Sequence, residues 1–319
     1  SSLGGRLDIG LLLRMYRQYP DKEHFFNGLT ETTRDSILHF DLLAGSSRLR
    51  EQIVRGESEE QIRKSWEKGL KQYKRMRKKY LLYPDIKTPL KIMTYNIRHG
   101  TDAGDRNHLE QIAVWLKCAD MDFVGLQEVD SVCERSGKIN QAEYLAAKTG
   151  MFYTFVRHFD FQGGAYGIAL LSRYPLQNIK TYNLPVDTSS ATRSVGFFTA
   201  DAKVPRKGAV RLAVVHMDYR SQASRINQAH IIGKILSQSR VPTVLMGDMN
   251  SSPGKEEIAV LMKKLKDGSI CDCFTFPSDR PDRKIDYIMV SNHFQPVKSV
   301  SASSEFSDHL PLTTIVEWK

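Results

Sequence analysis

The chain has 319 residues, 41% of them hydrophobic, and a formal net charge of +10 at pH 7. That length supports one large core plus a smaller unit. No stretch approaches the roughly 20 consecutive apolar residues of a bilayer-crossing helix, so no membrane span is expected.

The charge is unevenly shared. Residues 1–88 carry 18 Lys and Arg against 12 Asp and Glu, and the remainder carries 28 against 24. Much of the excess lies on Arg63, Lys64, Lys68, Lys71, Lys74, Arg75, Arg77, Lys78 and Lys79, which reads first as a solvated helical face and second as a polyanion-binding surface. Cys118, Cys133, Cys271 and Cys273 show no zinc spacing, and a pair separated by one residue is a poor disulfide geometry, so all four are expected as free thiols. The chain opens Ser-Ser-Leu-Gly-Gly with no signal peptide visible, and a processed or truncated start is expected.

In chain order, Leu7 to Tyr19 reads as a short helix ending at Pro20, with Thr30 or Thr32 as a cap for a following turn. Ser47 to Arg55 is another short helix. Ser58-Glu59-Glu60-Gln61 is a capping box, and Ile62, Trp66, Leu70, Tyr73 and Met76 form a helical apolar stripe behind it. The segments Phe40 to Arg50, Ile62 to Trp66 and Arg77 to Pro84 resemble the C-terminal end of the bacterial exo-β-N-acetylmuramidase family. The resemblance covers only that family's tail, so residues 1–87 are expected to be a helical segment with a structural or docking role. It also makes an extracytoplasmic location the expectation.

After Pro89 strands alternate with helices. Strand-like runs are Leu90 to Ile97, Asp122 to Glu128, Phe152 to His158, Tyr166 to Ser172, Ile179 to Leu184, Ser194 to Val204, Val210 to His216, the run from Val241, Ile285 to Val290, Pro296 to Ser301 and Thr313 to Trp318. Helices are expected at Asn107 to Cys118, Gln141 to Thr149, Ser221 to Ser237 and Glu256 to Leu265. Many strands with few helices predict an α/β fold of two packed sheets flanked by helices.

Polar residues gather at the strand ends: Asn96, Glu128, His216, Asp248, Asn250, Asp286, Asp308 and His309. Each alone has a structural explanation, such as an Asx turn for Gly-Asp-x-Asn. Together they point to a site, because ligands collect where strands end. The ordered set Thr94 to Gly100, Gly125 to Asp130, Ala169 to Pro175, Val215-His-Met-Asp218, Gly247-Asp-Met-Asn250, Lys284 to Ser291 and Ser307 to Pro311 resembles the motifs of the endonuclease/exonuclease/phosphatase superfamily over residues 88–319.

That resemblance implies a four-layer α/β/β/α sandwich and metal-assisted phosphoester hydrolysis. Glu128, with Asn96 and Asp308, is implied as the site of a hard divalent cation, Mg²⁺ or Mn²⁺, since the donors are oxygens. Asp248 is implied as the base that activates water, Asn250 as a donor to a phosphoryl oxygen, and His309, held by Asp286, as a charge stabiliser. His216 would donate to phosphate or leaving group, Arg193 would contact phosphate, and Tyr166 would line the site. Two departures qualify this. Ile168 stands where many relatives have Asn, and Arg98-His99 stands where some nucleases carry an acid.

The substrate is expected to be a phosphoester, as diester or monoester. Nucleic acid is the second reading, disfavoured because the catalytic part is only mildly basic and shows no run of basic residues interleaved with aromatics. A non-catalytic polyanion- or cell-wall-binding module on the same scaffold is the alternative from another class. Oligomeric state is not legible in the sequence.

Overall fold

The computed structural model describes residues 8–26, 38–77, 89–186, 195–205 and 207–319. The chain divides into two compact units, residues 1–86 and 87–319. No helix among the described residues is long and apolar enough to cross a membrane.

The first unit contains α1 (Ile9–Gln18), α2 (His39–Ala44), α3 (Arg48–Val54) and α4 (Glu59–Arg77). The capping box forms as the sequence predicts: Gln61 N donates to Ser58 Oγ at 3.2 Å and Ser58 N donates to Gln61 Oε1 at 2.8 Å. Ile9, Leu13, Phe26, Ile53 and Ile62 make a small core. The predicted α4 stripe is only half used within this unit. Ile62 is buried and Trp66 packs beside the core, whereas Leu70, Tyr73 and Met76 are about half exposed. The predicted caps Thr30 and Thr32 lie outside the described residues.

The second unit runs β1 (Leu90–Asn96), α5 (Leu109–Ala119), β2 (Phe123–Ser131), α6 (Gln141–Thr149), β3 (Phe152–Phe161), β4 (Gly164–Ser172), β5 (Leu176–Leu184), β6 (Val195–Val204), β7 (Gly208–His216), α7 (Gln222–Ser237), β8 (Thr243–Asp248), α8 (Glu256–Met262), β9 (Lys266–Asp267), β10 (Asp286–Val290), β11 (Phe294–Ser301) and β12 (Leu312–Trp318). Two six-stranded sheets result, in the orders β11-β12-β1-β2-β4-β3 and β5-β6-β7-β8-β10-β9. Only β1–β2 and β7–β8 are parallel, each pair joined by a helix. Each sheet thus holds one strand-helix-strand crossover, an architectural echo without a sequence repeat.

Period-two alternation explains the layers. Along β1, Ile92 faces the other sheet while Met93 and Tyr95 face α5; along β7, Leu212 and Val214 face inward while Ala213 and Val215 face α7. The inter-sheet core includes Phe123, Leu170, Phe198, Met246 and Ile288, all fully buried, and each such side chain contributes about 1.5–3 kcal/mol. Helix, sheet, sheet, helix is the four-layer sandwich that the sequence predicts. Ile168 belongs to this core rather than to a polar site.

One expectation fails. Cys118 and Cys133 are free, but Cys271 and Cys273 are disulfide-bonded. Their Cα atoms are 5.1 Å apart, inside the range a disulfide spans, and Cys273 has a left-handed backbone with φ 34°.

Candidate active site

The parallel strands β1, β2, β7 and β8 bring their carboxyl ends to one edge of the sandwich, and the predicted residues sit there. In the second sheet the register sets His216, Asp248 and Asp286 side by side on β7, β8 and β10. In the first sheet Asn96 ends β1 beside Gln127 of β2, one residue before Glu128. Met246, Gly247 and Val215 hold the second row in place. A Cβ at Gly247 would run into the Val215 carbonyl oxygen, so only glycine allows this approach.

Asn96 is fully buried and links the sheets. Its Nδ2 donates to Glu128 Oε1 at 3.0 Å and to Asp248 Oδ2 at 3.1 Å, while its Oδ1 accepts from Arg98 N at 3.1 Å. Asp248 Oδ1 accepts from Asn250 N at 2.8 Å, so the Asx turn is real as well as the site. Asn250 has a left-handed backbone with φ 47°, and its Nδ2 donates to the Met217 carbonyl at 3.0 Å.

Two histidines converge on Asp248 Oδ2: His216 Nε2 at 3.6 Å and His309 Nε2 at 3.7 Å. His309 Nδ1 pairs with Asp286 Oδ2 at 2.8 Å, and its ring packs against Phe276 with centroids 4.8 Å apart. Burial opposes the charge on His309, but Asp286, Asp248 and Asp308 overcome it and raise its pKa to about 10. Asp248 is pushed up, first by burial and then by Asp286, with both histidines opposing.

Asp248, Asp286 and His309 each offer a ligand atom within 4.8 Å of the others. Within that cluster His309 Nδ1 and Asp286 Oδ2 are joined at 2.8 Å, while Asp286 Oδ1 is buried without a hydrogen-bond partner. A second candidate place for a cation lies on the other side of Asn96. Glu128 lies in a left-handed conformation, φ 57°, at the irregularity between Leu126 and Val129, which turns its carboxylate out of the strand. No ion pair to Glu128 is present among the described residues. Asp308 is pushed up first by burial, with His309 and Arg98 opposing and the negative charge of Glu128 adding to the rise, and Arg98 Nε stands 3.6 Å from Asp308. Two carboxylates are the hard oxygen donors that suit a divalent ion, and the Asn96 amide N–H steers one of them.

The structure therefore brings together Asn96, Glu128, His216, Asp248, Asn250, Asp286, Asp308 and His309. Tyr166 borders them: burial raises its hydroxyl pKa well above the usual value, and Glu128 and Asp248 add to the effect. Arg193 lies outside the described residues. Sequence reasoning missed three neighbours. Arg98 lies in the first motif but reads only as a departure from it; consecutive left-handed residues, Arg98 and His99, set its place. His158 and Arg135 reach Tyr166 from β3 and from the loop after β2, by packing that pattern alone does not encode.

Comparison with known proteins agrees with this geometry. Residues 5–83 match the family model of the C-terminal part of the exo-beta-N-acetylmuramidase NamZ. The uncharacterized protein YbhP of Escherichia coli K12 is 25% identical over 247 residues, covering 70% of this chain and 94% of that protein. A mannosyl-6-phosphatase of Bacteroides thetaiotaomicron shares the fold with a TM-score of 0.62 and 18% identity, over 72% of this chain and 100% of the other. The human Nocturnin catalytic domain, with bound sulfate, gives 0.56 and 20% over 72% and 94%. Sphingomyelinase C of Streptomyces griseocarneus gives 0.56 and 17% over 71% and 99%. The model of the Endonuclease/Exonuclease/phosphatase family matches residues 93–309, which include every strand-end residue gathered at the sheet edge, and the chain belongs to that family.

Proposed function

We propose that residues 87–319 form a divalent-metal-dependent phosphoester hydrolase in which Asp248 activates water. The observation that carries this is the convergence of His216 and His309 on Asp248 Oδ2 at 3.6 and 3.7 Å, with Asn96 joining that carboxylate to Glu128. A phosphoryl group is dianionic or monoanionic, and a cationic His309 next to a raised-pKa carboxylate provides both charge stabilisation and a base.

Asp286 fixes the His309 ring and its charge. Asn250 keeps one amide N–H for a phosphoryl oxygen while the other holds the Met217 carbonyl. His216 donates to the phosphate or to the leaving oxygen, and Tyr166 lines the site. Glu128 and Asp308 would hold Mg²⁺ or Mn²⁺, with Asn96 beside them donating to Glu128. The ion would neutralise charge on the phosphoryl oxygens.

The named activities among the similar folds include a phosphatase and a sphingomyelinase, so the scaffold does not choose the substrate. The test is a panel of plasmid DNA, RNA, sphingomyelin, bis-p-nitrophenyl phosphate and p-nitrophenyl phosphate, each with Mg²⁺, Mn²⁺ and chelator. Metal-dependent turnover of at least one member, lost in Asp248→Ala and His309→Ala, is expected. Turnover that survives those changes would sink the mechanism. The match of residues 5–83 supports an extracytoplasmic location and a docking role for the first unit, which cell fractionation would check.

A further inference from the structure

The hairpin of β3 and β4 carries a row of rings that the mechanism above leaves unused. Phe159 lies opposite Tyr166 in the strand pairing and stacks on it, with centroids 5.0 Å apart. Phe161 meets Phe159 edge-on at 6.3 Å. On the other side His158 meets Tyr166 at 5.9 Å and His216 at 6.4 Å. The row therefore runs from the hairpin tip to a histidine that converges on Asp248.

Two local features build it. A bulge between Arg157 and Phe159 lets His158 and Phe159, adjacent in sequence, both reach Tyr166. Gly196 on β6 makes room for the imidazole, since a Cβ there would collide with the His158 ring. Arg135 completes the surface. Buried Asp130 takes its guanidinium through two bonds of 2.8 Å, and its Cζ lies 4.6 Å from the Phe161 centroid and 5.7 Å from that of Tyr166.

These rings are not core filling. Core aromatics such as Phe197 and Phe198 are fully buried, whereas Phe159, Phe161, Tyr166, His158 and His216 all keep part of their surface in solvent. A partly exposed aromatic row with a fixed guanidinium, continuous with a catalytic histidine, is a platform for a ring.

We propose that Phe161, Phe159, Tyr166 and His158, with Arg135, form a specificity-determining subsite that takes the ring of the substrate's alcohol portion, a sugar or a nucleobase, while the phosphoryl group lies at Asp248 and His216. This rests on the hydrolase reading above for the place of the phosphoryl group. The chemistry shared by the two ring sources is a face that stacks and an edge that hydrogen-bonds.

Glucose 6-phosphate, adenosine 5′-monophosphate and glycerol 3-phosphate are all esters of primary alcohols, so they differ chiefly in the ring. We would measure their binding to the full chain by calorimetry with Mg²⁺, and their kcat/KM, together with those of their methyl diesters. At least one ring ester is expected to bind about tenfold tighter than the glycerol ester, the scale of one stacking contact. The hexose and nucleoside arms identify the source. Phe159→Leu and Phe161→Leu should each reduce that ratio to about threefold or less, and Phe159→Tyr should keep it. Equal binding of ring and glycerol esters by the wild type would overturn the inference. So would a ratio that survives both leucine variants. A ring preference in binding without turnover of any ester would count against the hydrolase reading alone.

Discussion

Asp248→Asn tests the base directly, because it keeps the shape of the side chain and removes its charge. One carboxylate oxygen accepts from Asn250 N at 2.8 Å and the other from Asn96 Nδ2 at 3.1 Å. A carboxamide satisfies only one of these and turns an N–H toward the other donor, a loss of about 1–3 kcal/mol. Against this, a carboxylate that burial and Asp286 already disfavour is removed. The two effects oppose, so net stability should stay within about 2 kcal/mol of wild type, which is a melting shift of no more than about 4–8 °C for a domain of this size. Activity should fall much further. Loss of a positioned base costs about 10²–10⁴ in rate, or about 3–5 kcal/mol of barrier. The assay is kcat on bis-p-nitrophenyl phosphate at saturating Mn²⁺, paired with a thermal melt. A variant that melts near wild type and retains kcat within tenfold would refute the assignment of Asp248.

Other expectations follow from the same geometry. Gly247→Ala drives a Cβ into the Val215 carbonyl of a central strand, so overpacking and backbone strain of about 2–6 kcal/mol should lower the melting temperature by at least about 5 °C; an unchanged melt would show that the strands can part. Burial holds His158 near pKa 3 against 6.5 when unfolded, so the unfolded chain takes up the proton first and stability is lost as pH falls below about 6.5. The loss is about 2 kcal/mol between pH 7.5 and pH 5, and denaturant melts at the two values should show it shrinking in His158→Gln. Mg²⁺ or Mn²⁺ at about 100 times its dissociation constant should stabilise the wild type by about 2.7 kcal/mol, reversed by chelator. Glu128→Gln should abolish most of that shift, and an equal shift in the variant would move the ion elsewhere.

The strand-end residues were legible because the chemistry needs particular side chains immediately after apolar runs, and Met246-Gly247-Asp248-Met249-Asn250 shows both in five letters. The layer order followed from alternation in β1 and β7, where successive residues face opposite neighbours. What stayed hidden depends on backbone irregularity. The left-handed Glu128 and the bulge that exposes both His158 and Phe159 arise from register shifts between strands, and a register shift has no local sequence signature. The Cys271–Cys273 bond was missed because spacing alone argued against it, whereas the Cα separation of 5.1 Å lies within the range of a disulfide. The apolar residues Leu70, Tyr73 and Met76 read as core from periodicity, but within their own unit nothing covers them among the described residues.

Asn96 has a consequence for how the molecule becomes competent. Its single amide nitrogen touches one acid from each sheet, Glu128 at 3.0 Å and Asp248 at 3.1 Å. A slip of one sheet past the other by even an ångström would break one of these bonds, so the amide works as a vernier on the alignment of the two halves. A chain with only one sheet assembled holds half the acids and neither the bridge nor the paired histidines. On the proposed mechanism, completion of the site and docking of the sheets are then the same event, and nascent or partly unfolded chains would not hydrolyse phosphoesters before the sandwich has closed.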